Sequence, residues 1–451
     1  MPEQFGLIAM LAIFMQVAQS LIDSGFGSAL IQRKDATYLD ECSVFYFNIL
    51  IGFVVAGLLY ISAPWIAAFY KAPLLKPLAR VFSLNLVINS FGVVQIALLT
   101  KRIDFKVQTR VSVVAGIISG VIGIAMAYYG FGVWSLVWHY ISLTFFRTVL
   151  FWVFCSWRPS WKFSFASLRS MFSFGSKLLL SGLMETIFNN IFFIVIGKMF
   201  SLKQLGYYLQ ADRIASFPAR NLCFPITRAA FPLFSSLQDD KIRLKQETKK
   251  VLSVSALINF PLMIGLAAVA KPLVFVLLTE KWLPSVPYIQ LICIAWILYP
   301  CQMINSQILL ALGRSDLFFR IEIFKKVLII LILIITVPAG VLAILYGGII
   351  TSLIFYYINS YYVGKLLLYS MTEQIKDLVL IFLSSVLMGI VVFMLGVIPV
   401  GNMLLLLLQV PVGVIIYISV CYLFKLESFN TMMLYVIDEY KKIRRQKVTV
   451  C

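Results

Sequence analysis

Thirteen stretches of this chain are apolar for long enough to cross a bilayer. They run over residues 5–31, 43–69, 77–100, 107–128, 131–156, 172–197, 204–227, 250–278, 285–312, 321–343, 346–368, 375–398 and 403–424. A helix needs about 20 apolar residues to traverse the hydrocarbon. Lipid offers backbone groups no water, so each stretch must satisfy its own N–H and C=O groups as a helix. Composition agrees: 61% of the 451 residues are hydrophobic and 13% charged, where soluble domains reach about 50% apolar. The expected fold is an all-α polytopic membrane protein of about 13 spans. A basic tail, 425–451, ends in KKIRRQK and reads as amphipathic or loose.

A net charge of +19 would suggest a nucleic-acid partner in a soluble protein. Here it is expected to mark loops, with no nucleic acid bound, because Lys and Arg gather on the cytoplasmic side of membrane proteins. One set of alternate loops, from Arg33-Lys34 to the tail, carries 28 of them. The other set carries six: Lys71, Lys76, Lys198, Lys203, Lys271 and Lys281. The alternation holds along the whole chain. The first set, with the C-terminus, is therefore expected in the cytoplasm, and Met1 outside. Seven cysteines stand singly with no CxxC, which indicates neither a disulfide framework nor a zinc site. No metal and no cofactor are expected. The opening MPEQFG lacks the basic start of a signal peptide.

Three short matches suggest an internal repeat. EQFG (3–6) resembles KQLG (203–206), QIALLTKRID (95–104) resembles QILLALGRSD (307–316), and YGFGVWSLV (129–137) resembles YGGIITSLI (346–354). The halves share orientation, so they read as parallel repeats about an axis along the membrane normal. KQLG is preceded by the span 172–197, but EQFG by two residues. The first repeat is thus read as lacking its first helix. The expected organisation is an N-terminal bundle of five helices (1–156), a cytoplasmic linker (157–171), a six-helix bundle (172–368), a terminal helical hairpin (369–424) and the tail.

Ionisable groups inside the bilayer are expensive and usually face a bundle interior. In the first span Gln16, Ser20, Asp23 and Gly27 share one helix face. Asp23 is therefore read as turned toward protein or cavity, either pinning helix packing or serving function. The small pairs Gly25/Ala29 and Ser24/Ser28 would let another helix approach closely. Lys177, Ser181, Glu185 and Asn189 form a second stripe, and the next span carries Asp212, Arg213 and Arg220. Counting residues from the intervening outer turn places Arg213 and Arg220 about one turn either side of the depth of Glu185. The economical reading is one buried network of Glu185, Asp212, Arg213 and Arg220. Those ions could simply pair and hold two helices in register, or the arginines could bind an anionic substrate through their planar forks. Arg80 and Arg147 are the other arginines inside spans, for substrate contact or for snorkelling to a head group. Glu185, and less so Asp23, could carry a coupling proton or sodium ion. His139, the lone histidine, sits among Trp134, Trp138 and Tyr140, as in an aromatic belt. Pro218, Pro225 and Pro232 are expected to kink the arginine-bearing helix or pack irregularly.

FGLIAM, DSGFGSALIQRKDAT, LLTKRIDF, YGFGVWSLV, LGYY (205–208) and FPLFSSLQDD (231–240) resemble the Wzx-type polysaccharide exporters, in the branch of colanic-acid and teichuronic-acid exporters. These belong to the multidrug/oligosaccharidyl-lipid/polysaccharide superfamily. The resemblance covers nearly the whole chain and implies two six-helix bundles around a central cavity, often with two extra helices. It implies flipping of a polyprenyl-pyrophosphate-linked oligosaccharide across the bacterial inner membrane by alternating access, with membrane lipid around it and a polysaccharide polymerase and other assembly proteins as partners. On that reading Arg213, Arg220, Arg147 and Arg80 would contact substrate. The missing first helix departs from the pattern. An ion-coupled small-molecule antiporter of the same fold and a truncated, non-functional remnant stand as alternatives. A glycan polymerase or ligase is disfavoured, because such enzymes need a sizeable outward loop and the outward loops here are short, so no enzymatic activity is expected.

Overall fold

The computed structural model describes the backbone of residues 2–23, 26–27, 30, 36–102, 105–426 and 428–430. It describes their side chains except at 23, 105, 170, 172–175, 177–178, 181, 222–224 and 227–229. Arg33-Lys34, the pairs Gly25/Ala29 and Ser24/Ser28, and the tail beyond 430 lie outside the described residues.

Every regular element among the described residues is helical. In chain order the α-helices are α1 (Pro2–Asp23), α2 (Tyr38–Phe69), α3 (Leu75–Ser90), α4 (Val93–Lys101), α5 (Phe105–Tyr128), α6 (Val133–Phe154), α7 (Phe165–Asn189), α8 (Ile191–Met199) and α9 (Leu202–Ser236). There follow α10 (Lys241–Ala268), α11 (Ala270–Leu278), α12 (Val286–Trp296), α13 (Tyr299–Ala311), α14 (Ser315–Thr336), α15 (Val341–Leu367), α16 (Met371–Leu395) and α17 (Asn402–Leu423). The described parts of all thirteen expected spans are helical over most of their length. Nine among the described residues are long and apolar enough to cross a membrane, and two bent pairs raise the number to eleven. The two expected spans that fail this test, 204–227 and 321–343, are α9 and α14. Their charges explain it: α9 carries Asp212, Arg213 and Arg220, and α14 carries Arg320, Glu322, Lys325 and Lys326.

The chain divides into two compact units, Met1–Gly206 and Tyr207–Cys451. This division falls later than the linker expected at 157–171. The physical reason is that α7 packs against α1 and α2, and α8 against α1.

In the first unit, Thr37 and Asp40 close a reciprocal capping box at the start of α2, with Thr37 N donating to Asp40 Oδ2 at 2.9 Å. Two backbone donors that lack helical partners are satisfied this way. α3 and α4 meet at a 41° bend, and α7 and α8 at a 45° bend. The YGFG turn before α6 needs glycine: Gly130 and Gly132 have φ of +83° and +58°, in the left-handed region that a Cβ disfavours. The repeat also appears as geometry. A Cβ on Gly6 would stand 2.1 Å from the Leu202 carbonyl oxygen, and a Cβ on Gly206 would stand 2.1 Å from that of Pro2. Pro2 and Gly6 correspond to Leu202 and Gly206 at the offset that relates EQFG to KQLG, so the contact is reciprocal.

In the second unit the hairpin α16–α17 is tied to the bundle. Lys245 pairs with Glu373 at 2.8 Å and Lys249 with Asp377 at 2.7 Å. Behind them Asn305 donates to Ser360 Oγ and Gln374 Oε1, both at 3.1 Å and all buried. Farther along, Gln409 Nε2 donates to the Val392 carbonyl at 2.8 Å, and the Tyr417 hydroxyl to that of Leu257 at 2.8 Å.

Candidate functional site

Each compact unit carries polar and cationic groups on its long helices. In the first unit α3 and α6 are joined by a ladder. Asn85 Nδ2 donates to the Tyr140 carbonyl (3.2 Å), Thr144 to Asn85 Oδ1 (3.2 Å), and Arg147 Nη2 to Asn89 Oδ1 (3.1 Å). Interhelical hydrogen bonds in lipid average only about 0.6 kcal/mol, so the ladder acts by number and by setting the register of the two helices. Asn89 is buried while Arg147 is half-buried. Arg80 lies nine residues before Asn89 on α3, about 13 Å along the axis. Its guanidinium stands 4.8 Å from the Tyr60 ring centroid, and its Nε is buried without a hydrogen-bond partner. Arg80 and Arg147 therefore belong to separate environments.

The polar face of α1 meets α7. Ser20 Oγ lies 3.1 Å from Thr186 Oγ1, and Asn190 Nδ2 donates to Gln16 Oε1 at 2.8 Å and to the Thr186 carbonyl at 2.8 Å. Asn190 sits at the α7–α8 bend, where a side-chain amide satisfies backbone that the helix no longer serves. Asp23 is the last described residue of α1, and its side chain, like those of Lys177 and Ser181, lies outside the described residues. Glu185 and Asn189 are exposed, on a different face of α7 from the one that meets α1.

In the second unit α9 runs unbroken through Pro218, Pro225 and Pro232. Each proline leaves the carbonyl four residues earlier without its helical donor. Asp212 is half-buried, hydrogen-bonds Ser216, and lies within the fields of Arg220 and Arg213. Arg213 and Arg220 are exposed. The Arg220 guanidinium lies over Trp296, 5.0 Å from the ring centroid, and Trp296 packs on Tyr299 with centroids 4.4 Å apart. The expected buried network thus takes a different form: Glu185, Arg213 and Arg220 are exposed rather than buried, and Glu185 belongs to the other compact unit. Of the two arginines, Arg220 is the one recorded over an aromatic ring.

Trp296 ends α12 at a joint the sequence analysis missed. Pro300 has no N–H, so the Trp296 carbonyl loses its helical partner. Asn259 on α10, buried at 1% exposure, donates to the Trp296 carbonyl at 3.1 Å and to the Ile297 carbonyl at 2.9 Å. Ser352 Oγ donates to the Ala295 carbonyl at 2.7 Å and accepts from Gln302 Nε2 at 2.8 Å. The available signal was a proline inside an apolar run, opposite a solitary asparagine in another. His139 is absorbed by packing: its Nδ1 lies 3.0 Å from the Ser119 carbonyl.

A family model described as polysaccharide biosynthesis protein matches residues 1–287. The chain belongs to this family. Its relatives include the teichuronic acid biosynthesis protein TuaB of Bacillus subtilis (strain 168), 32% identical over 67% of this chain and 63% of that one. The lipopolysaccharide biosynthesis protein WzxC of Escherichia coli (strain K12) is 28% identical over 73% of this chain and 67% of its own. The alignments thus span about two thirds of the length of these relatives. Among solved structures, the lipid II flippase MurJ in an inward closed conformation superposes with a TM-score of 0.74 at 15% identity, covering 94% of this chain and 96% of that one. An inward-facing multidrug resistance transporter of the MATE family, in the MOP superfamily, gives 0.63 at 15% identity over 81% and 91%. This multi-pass membrane protein shares the fold of these two solved structures.

Proposed function

We propose that this protein moves a polyprenyl-pyrophosphate-linked oligosaccharide, the repeat unit of a surface polysaccharide, across the bacterial inner membrane by alternating access. It does so as a transporter rather than an enzyme. The observation that carries the reading is the MurJ-like fold in a chain of a polysaccharide biosynthesis family. The C-terminus is cytoplasmic, following the distribution of Lys and Arg. Polysaccharide polymerase and other assembly proteins act beside it.

In this reading Arg213 and Arg220 receive the pyrophosphate. Both are exposed, so a ligand can approach them. Guanidinium–phosphate bonds are short, bidentate and roughly twice as strong as neutral hydrogen bonds. Arg147 and Arg80 contact substrate in the other unit. Asp212 orients the arginines, and Glu185, with Asp23, binds the coupling proton or sodium ion. Deleting the gene should leave the lipid-linked repeat unit on the cytoplasmic face, and Arg213→Ala or Arg220→Ala should fail to rescue export. Normal surface polysaccharide in a deletion strain that has no second exporter sinks the proposal. The MATE likeness supports a second reading, an ion-coupled antiporter of small molecules. It predicts unchanged lipid-linked precursor in the deletion strain and raised sensitivity to some toxic solute.

A further inference from the structure

We propose that the cleft between the first turns of α14 and the last turns of α15 binds the phosphate headgroup of an anionic membrane phospholipid, with Arg320 as its principal ligand. The cleft encloses about 410 Å³ and is lined by Arg320, Leu317 and Phe324 from α14 and by Tyr357, Tyr361 and Tyr362 from α15.

Three observations converge. Arg320 is exposed, and among the described residues no carboxylate pairs with it. The acids nearest in sequence are already engaged: Asp316 with Arg314 at 3.0 Å and Glu322 with Lys325 at 2.8 Å. A second cation, Lys365, lies 4.8 Å from the ring centroid of Tyr361, one of the cleft's walls. The result is a recess with positive charge at and beside it, which attracts an anion.

The surroundings place that anion at a membrane interface. Tyr357 and Tyr361 stack with centroids 6.3 Å apart and planes 24° apart, and Tyr361 meets Tyr362 at 5.4 Å. Tyrosines with polar tips gather at headgroup level. From the cleft an exposed apolar lane continues along α14 through Phe324, Val327, Leu331 and Ile334. It spans about 15 Å at 1.5 Å per residue, the reach of an acyl chain. Charge, aromatic shelf and apolar lane follow one another in the order of a phospholipid's phosphate, glycerol and tail. Free phosphate would share the first of these only. Basic recesses between spans on the side of the basic loops suit acidic lipid headgroups. The inference needs only that the chain lies in a bilayer; it does not depend on what the protein transports.

The test is native mass spectrometry of the full-length protein in detergent, titrated with phosphatidylglycerol or phosphatidylcholine, with and without inorganic phosphate. The expected result is a phosphatidylglycerol adduct that outcompetes phosphatidylcholine. Arg320→Ala should weaken it about tenfold or more, as loss of a charge-assisted contact does, while R320K retains part of it. K365A, on the other helix, should weaken it less, and it keeps the proposal open to refutation if R320A does not fold. Equal binding of the two lipids, or unchanged phosphatidylglycerol binding in both alanine variants, overturns the proposal. Displacement of the lipid by millimolar inorganic phosphate would make free phosphate the ligand, and also overturns it.

Discussion

Arg220 shows how a guanidinium on α9 combines a carboxylate with an aromatic face: Asp212 lies within its field. The guanidinium lies 5.0 Å over the ring of Trp296, a contact worth about 0.5–2 kcal/mol depending on desolvation. The ring is held because its own backbone carbonyl is held, by Asn259. Asn259→Leu would leave the Trp296 and Ile297 carbonyls without those donors. The expected cost is about 1–3 kcal/mol, the penalty for orphaned buried polar groups, read as a lower thermal midpoint in detergent. An unchanged midpoint would show that the joint is satisfied by other means. The same residue reasoning separates Arg220→Lys from Arg220→Ala. Lysine keeps the charge but loses the planar fork, so if Arg220 binds a pyrophosphate, R220K should rescue export only weakly. Full rescue by R220K would reduce the role of Arg220 to its charge.

At the scale of elements, the crossing of α1 with the start of α9 relies on two glycines that are each other's equivalents. Gly6→Ala would bring a Cβ to 2.1 Å from the Leu202 carbonyl oxygen, and Gly206→Ala would do the same at Pro2. Neither neighbour is a flexible side chain, so the helices must separate. Each substitution is expected to destabilise by about 1–3 kcal/mol, and the two together by less than their sum, because the first already opens the crossing. Additive losses in thermal unfolding would show that the two contacts are independent. The hairpin α16–α17 offers a second element-level test. Asp377 is 14% exposed against 45% for its partner Lys249, whereas Arg243 and Asp240 are 74% and 49% exposed. A double-mutant cycle should therefore find about 0.5–1 kcal/mol of coupling for Lys249–Asp377 and close to none for Arg243–Asp240.

For the whole molecule, alternating charge predicts an orientation that reporters can read. Alkaline phosphatase fused after Phe200, in the lysine-poor set of loops, should be active. A fusion after Lys162, in the basic set, should be inactive, since basic loops stay inside. Activity in the reverse pattern would invert the topology, and with it the side from which a substrate enters. Most of the architecture was legible in the chain. Span positions, the all-helical class and the repeat follow from hydropathy and short motifs, because a bilayer leaves a long apolar segment one way to satisfy its backbone. The site was legible only in part. Arg147, Arg80, Arg213 and Arg220 stand out as charges inside spans, but Asn89, Tyr60 and Trp296, which receive three of them, are ordinary residues until helices bring them close.

By itself the sequence determined the solvent in which this protein folds, the helical segments long and apolar enough to cross it, and the family to which it belongs. Each of these depends on local composition or on motifs within a few turns. Tertiary structure alone decided that α7 packs with the first unit, that Glu185 and the two arginines of α9 are exposed, and that Asn259 holds the joint between α12 and α13. Such facts depend on which face of a helix meets which neighbour. Hydropathy cannot register that choice, because in a bilayer the faces turned to lipid and to protein are both apolar.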